Sequence, residues 1–337
     1  MSGPNMGEHV PRIRHHASEA DGAGLLVREV VRLAFYMPHD HHDLAPQVRR
    51  ALDLYVQAVG AAPGILSHGE DLEGERFPLG QEGWSHVRSL LRPFEGYRFM
   101  DEFASEDDTP FLRTQLKTQN ETSVLLIGLE PQPNGFSFNY RARLPWRTPP
   151  AGSMSVLSAT LPCEYLEEHG PGRVRELAME WASLLSFSSG HVGLAFELYG
   201  RRSRALPLIR EALFRYPAMD LPQVSVESNL GTRVDGVHWL NFLGPPVLAE
   251  VGGVEALRGQ LGSSRTHVQP VETERAVVAL GTWPEAGDLA RGEDLPAYRE
   301  LARALESRLN AFEPRQARSW TGYTEEEVRR WWRRFLD

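Results

Sequence analysis

Phe136, Phe138, Tyr140, Ala142 and Leu144 alternate strictly with Ser137, Asn139, Arg141 and Arg143. A period of two puts every second side chain on the same face, so this segment is a strand with one buried and one polar face. Just upstream, Ser123–Glu130 (SVLLIGLE) is a short apolar run, and PQPNG lies between the two. Two β-type runs joined by Pro, Asn and Gly read as a hairpin. A hairpin with a wet face commits the chain to an antiparallel or mixed sheet rather than a fully covered parallel one.

The rest of the chain alternates similar strands with helical stripes. Leu25–Met37 (LLVREVVRLAFYM) is rich in β-branched and aromatic residues and reads as a strand. From Pro46 to Val59, Val48, Ala51, Leu52, Tyr55, Val56 and Val59 fall at helical spacing before Gly60. LPWRTPPAGS, around residues 145–153, is a Pro/Gly-rich break and a candidate subdomain boundary. Beyond it come MSVLSATL as a strand and GPGRVRELAMEWASLLS as a helix striped by Val174, Leu177, Ala178, Trp181, Leu184 and Leu185. HVGLAFELYG and RAVVALGTW read as strands, VHWLNFLG leads to a short helix near VGGVEALRGQL, and LPAYRELARALESRLN is a helix. The expected fold class is α+β, a mixed or largely antiparallel sheet with helices packed mainly on one side. Residues 1–24 read as a flexible polar tail and 25–337 as a single domain.

The chain ends in TGYTEEEVRRWWRRFLD. Thr324 and Glu327 form a capping box, and Val328, Trp331, Trp332, Phe335 and Leu336 share one face. This C-terminal amphipathic helix is expected to dock on the protein's own body, because two adjacent tryptophans on a free stripe invite aggregation.

Charge and composition narrow the function. Forty-five acidic residues against thirty-six basic ones leave a formal charge of −9. Direct nucleic-acid binding wants a basic stripe instead. No apolar run approaches the roughly 20 residues of a membrane-spanning helix, and the first residues lack the apolar segment of a secretory signal. One cysteine, Cys163, excludes an internal disulfide and fits a reducing cytoplasm.

The sharpest candidate for chemistry is PHDHHDLAP, Pro38–Pro46. His39 and His41 with Asp40 or Asp43 have the makings of a metal site, and a metal-dependent enzyme is the alternative reading of the chain. The segment lies between a strand and a helix, however, where Asp43 suits a helix N-cap and Pro46 the first turn. His68, His86, His169, His191, His238 and His267 stand isolated in the sequence. A strand-to-helix connection without metal is therefore expected, in which alanine at His39, His41 and His42 leaves folding nearly intact. No cofactor is expected. A Gly-x-Ser-x-Gly elbow and a P-loop are both missing. Cys163 reads as a small core residue, and Glu164, Glu167 and Glu168 as a solvated helix end or turn.

Carboxylates concentrate in two loop-like stretches, GEDLEGE (Gly69–Glu75) and DEFASEDD (Asp101–Asp108). Asp101, Glu102, Glu106, Asp107 and Asp108 form the denser group, and Glu70, Asp71, Glu73 and Glu75 the second. Such patches offer a complementary face to a basic protein.

Several segments resemble one bacterial family. They are VHWLNFLGPPVLAEVGGVEALR, RAVVALGTWPEAGDLARGEDLPAYRELARALE, RRWWRRFLD, SVLSATLPCEYLEEHGPGRVRELAMEWASLL and the helix ending LDLYVQAVG. The resemblance is to type VI immunity for VRR-NUC toxins, the TsiV-like proteins, and runs from about Leu25 to the C-terminus. It implies a cytoplasmic antitoxin that binds a cognate nuclease toxin and blocks it, with no catalytic residues of its own. A nuclease cleft is basic because it binds phosphates, so acidic loops make a fitting plug.

Overall fold

A computed structural model describes residues 10–17, 24–60, 62, 64–71, 74–93, 121–129, 132–144, 151–272 and 274–337. Its centre is the strand β2, Leu25–Met37, buried along nearly its whole length. Val27, Val31, Leu33, Phe35 and Met37 enter the main core, while Ala34 and Tyr36 enter a small core on the opposite face. Burial on both faces explains why this segment reads as a continuous apolar run without polar alternation.

The other strands are β1 (His15–His16), β3 (His68–Asp71), β4 (Arg76–Pro78), β5 (Glu121–Ile127), β6 (Ser137–Arg143) and β7 (Ser155–Pro162). They are followed by β8 (Ser189–Leu198), β9 (Leu240–Leu243), β10 (Thr266–Glu272) and β11 (Arg275–Leu280). They form one sheet in the order β10-β11-β9-β8-β2-β7-β6-β5-β3-β4, with β1 paired to β2. Among the described residues, every ladder between these strands is antiparallel. The β5–β6 hairpin forms as its alternation predicts, from Glu121 opposite Arg143 to Ile127 opposite Ser137. β6 and β7 flank the Pro/Gly-rich stretch and pair directly, so one sheet runs across it.

Two long helices, α1 (His41–Val59) and α3 (Cys163–Leu184), pack together over the main core. Trp181 of α3 donates its indole N–H to the Ala51 carbonyl of α1 at 3.0 Å. A shorter helix, α2 (Gln81–Leu90), follows the β3–β4 hairpin. α3 bends at Gly170, whose φ of 76° ends one helix before Pro171 begins the next. The CEYLEEH stretch, expected as a helix end or turn, is thus a helix of its own. Cys163 is buried at its start, and burial pushes its thiol well up, which suits a packing residue.

A second core covers the other face toward β9 and β11, with Leu243, Val278 and Leu280 meeting Tyr298 and Leu301 of α4 (Pro296–Ala304) and Phe335. The C-terminal helix α5 (Glu325–Trp332) carries the expected capping box at Thr324 and Glu327 and docks on the body. Tyr298 and Phe335 sit 5.4 Å apart, and the Trp332 indole donates to the Asn310 carbonyl at 2.7 Å.

Residues 10–17 depart from the flexible tail expected of 1–24. Val10 and Ile13 are buried, and β1 pairs with β2. Glu29, fully buried on β2, accepts hydrogen bonds from Arg12, Arg14 and the Ile13 amide. A carboxylate inside the sheet draws basic side chains onto it, because an unpaired buried charge is costly.

Candidate functional site

Glu70, Asp71 and Glu75 come together on the β3–β4 hairpin, at the end of the sheet formed by β4. Glu70 pairs with Arg76 across the hairpin at 2.8 Å. Asp71 accepts from the Glu75 amide at 3.1 Å and so shapes the turn, while Glu75 is exposed. Beside the hairpin, α1 and α2 border a groove of about 460 Å³, lined by Arg49, Leu52, Asp53, Val56, Trp84 and Arg88. Glu73, Asp101, Glu102, Glu106, Asp107 and Asp108 lie outside the described residues.

The PHDHHDLAP segment connects β2 to α1, but its local roles differ from those expected. Asp40 caps α1, accepting from the amides of His42 at 2.9 Å and Asp43 at 3.4 Å. The helix therefore begins at His41, earlier than Asp43 and Pro46 suggest, and Pro46 lies inside it. His41 is fully buried between the Tyr140 hydroxyl at 3.2 Å and the Arg92 carbonyl at 2.9 Å. Burial lowers its pKa. Alanine at His41 would leave a hole and two polar groups without their partner, so the expectation of nearly intact folding fails at this one of the three histidines. His39 and His42 do not converge with it: among the described residues, these side chains form no group able to share an ion.

Convergence occurs elsewhere, at two histidines that look isolated in the sequence. His191 on β8 and His238, just before β9, stack with ring centroids 3.7 Å apart and planes 10° from parallel. Register brings His191 opposite Ala34 on one side and Asn241 on the other. Asn241 pins the His238 backbone from both ends, accepting from its amide at 2.8 Å and donating to its carbonyl at 2.6 Å. Asp220 is placed by a short parallel bridge to Ala195.

Charged groups surround the pair. Arg32 on β2 forms a buried ion pair with Glu227 at 3.0 Å and lies 3.3 Å from Nε2 of His191. Arg334, behind α5, stands 3.7 Å from Asp220, and Tyr36 donates to Asp235 at 2.9 Å. Burial lowers both imidazoles, His238 to about 4, so both are neutral at ordinary pH. Burial and then the charges of Asp220 and Glu227 raise the Asp235 carboxyl. Ligand-type atoms of His191, Asp220, Asp235 and His238 all lie within 4.8 Å of one another. The one local sequence signal was Asp235-x-x-His238; His191 and Asp220 come from distant stretches.

Among the described residues no helix is long and apolar enough to cross a membrane. Among curated proteins none matches the chain. Among solved structures, the chain is similar to the Pseudomonas aeruginosa T6SS protein PA0821, with a TM-score of 0.70 and 20% identity. That similarity covers 97% of this chain and 88% of the other, and at this identity it speaks to the fold. The family model described as TsiV, type VI immunity for VRR-NUC, matches residues 100–335. With well over half of its length matched, the chain belongs to the TsiV family of type VI immunity proteins.

Proposed function

We propose that this protein protects a cell by binding a VRR-NUC-type nuclease toxin directly and holding it inactive, with acidic loops set against the toxin's basic DNA-binding cleft. The family match over residues 100–335 carries this reading. The formal charge of −9 gives the direction of complementarity. The surface involved is the end of the molecule with the β3–β4 hairpin. Glu70, Asp71 and Glu75 belong to it, and the reading adds Glu73 and, from the sequence between α2 and β5, Asp101, Glu102, Glu106, Asp107 and Asp108 as partner-binding carboxylates. The groove between α1 and α2 adds Trp84 and Leu52 to this acidic surface, the kind of apolar centre on which binding energy concentrates. The protein acts as a stoichiometric cytoplasmic inhibitor and needs no chemistry of its own. A metal-dependent enzyme at residues 39–43 loses its support, since Asp40 caps a helix and His41 is packed inside.

The test is co-expression with the VRR-NUC protein encoded nearest to it, followed by purification on a tag carried by the toxin. A one-to-one complex is expected. Recovery of the toxin alone, with both proteins folded, would count against direct binding.

A further inference from the structure

We propose that His191, Asp220, Asp235 and His238 form a site for a divalent transition-metal ion of the zinc type, buried beneath the C-terminal segment. Two imidazoles and two carboxylates are a donor set such ions accept. Their ligand atoms already lie within 4.8 Å of one another. Bonds of about 2.0–2.1 Å in a tetrahedral site put ligand atoms roughly 3.4 Å apart, so the cluster contracts on binding.

The second observation is independent of that convergence. His238 is 2% exposed, yet neither of its ring nitrogens has a hydrogen-bond partner, and Oδ2 of Asp220 has none either. Buried polar atoms are seldom left this way, because each costs the free energy of its lost hydration. Nη2 of Arg202 and Nε1 of Trp331 nearby also lack partners, whereas Asn241 satisfies the His238 backbone. An ion shared by His238 and Asp220 gives one ring nitrogen and Oδ2 a partner at once.

Two features define what binding requires. Parallel rings 3.7 Å apart cannot both aim a lone pair at one ion, so one imidazole turns on binding. His238 is seated between Gly193 and Gly236, where a Cβ would come within 3.2 Å of Nδ1 and Nε2 respectively, so the two glycines make the space that its ring occupies. The second feature is positive charge. Arg32 gives up its 3.3 Å contact with His191 and keeps Glu227, while Arg334 near Asp220 and Arg202 near Glu227 and Asp220 oppose a cation. That opposition acts on any divalent cation; the two imidazoles are what favour zinc-type ions over magnesium and calcium, which prefer oxygen ligands. Tyr36 orients Asp235 through its 2.9 Å hydrogen bond, the supporting role that outer partners play around bound metals.

The experiment uses the untagged full-length protein, stripped with a chelator and titrated with zinc chloride by calorimetry near neutral pH. Cobalt(II) absorption serves as a geometric probe and magnesium as a control. One equivalent of zinc, tetrahedral cobalt bands and no magnesium binding are expected. His238→Ala is expected to weaken zinc binding by at least about tenfold, and Asp235→Asn, at a half-buried position that folding tolerates better, to weaken it as well. A His39→Ala/His42→Ala variant should keep the full equivalent. A folded wild type that binds no zinc overturns the proposal and leaves an ordered water as the occupant. Zinc binding that survives both site variants but is lost with His39 and His42 overturns it too. None of these readouts involves the toxin, so they stand or fall apart from the immunity reading.

Discussion

Trp331 packs its ring 5.0 Å from that of Trp320, with both residues buried, and this contact ties the C-terminal helix into the main core. The helix is therefore part of the fold. Trp331→Ala is expected to cost about 3–5 kcal/mol in urea unfolding. Truncation after Gly322, which also removes Val328 and Phe335, should lower the melting temperature further or prevent soluble expression. A truncated protein of unchanged stability would show that the helix packs elsewhere.

The three clustered histidines should separate sharply on mutation. His39→Ala and His42→Ala are expected to change stability by less than about 0.5 kcal/mol, as surface substitutions do. His41→Ala should cost about 2 kcal/mol, because the Tyr140 hydroxyl and the Arg92 carbonyl lose their partner. Equal effects at all three positions would contradict the packing described.

His41 also predicts a direction for pH. Its folded-state pKa lies below the unfolded value, so as acid is added the unfolded chain takes up its proton first. Stability from this group is fully present above roughly pH 6.5 and declines as pH falls below that value. Urea unfolding at pH 7.5 and pH 5.5 should show the loss in the wild type. His41→Gln should show a smaller one, with His191 and His238, also lowered by burial, supplying the rest. A variant with an undiminished slope would assign the effect elsewhere.

Glu29 makes a prediction about the N-terminal segment. Arg12→Ala/Arg14→Ala leaves its buried carboxylate with the Ile13 amide alone among these three donors, and should cost about 3 kcal/mol. Adding Glu29→Leu to that double variant should restore part of the loss, since the uncompensated charge is then gone. A double variant as stable as the wild type would mean that residues 10–17 contribute nothing to the fold.

How much of this was legible beforehand depended on whether the signal is local. The β5–β6 hairpin could be read because one wet face forces strict alternation, and the Thr324 cap because its partner is three residues away. β3, β4 and α2 carry no such local signal. HGED and RFP are short and mostly polar, and they are strands because β5 offers them a ladder. Asp40 takes the capping role that the sequence suggests for Asp43, a shift of about one helical turn that composition alone does not settle. The His191–His238 cluster had the weakest trace, since the sheet assembles it from β8, the Asp220 bridge and the approach to β9. The N-terminal arginines read as a tail because their partners, Glu29 and Glu164, lie on elements that meet them only in three dimensions.

Charge reversal asks whether acidity is the means of recognition. Reversing Asp101, Glu102, Glu106, Asp107 and Asp108 should slow association with the toxin at low salt and weaken protection, more than reversing Glu70, Asp71, Glu73 and Glu75. Glu70 is already paired with Arg76, and rim charges act mostly on association rate. If both reversals left rate, affinity and protection unchanged, the acidic face would not be the interface.

Inhibition itself is tested most directly by titrating the VRR-NUC toxin proposed as the partner with this protein while following DNA cleavage. Cleavage is predicted to fall linearly and to vanish at one equivalent. Cleavage that continues at full rate with the folded protein in large excess would contradict direct neutralisation of the nuclease.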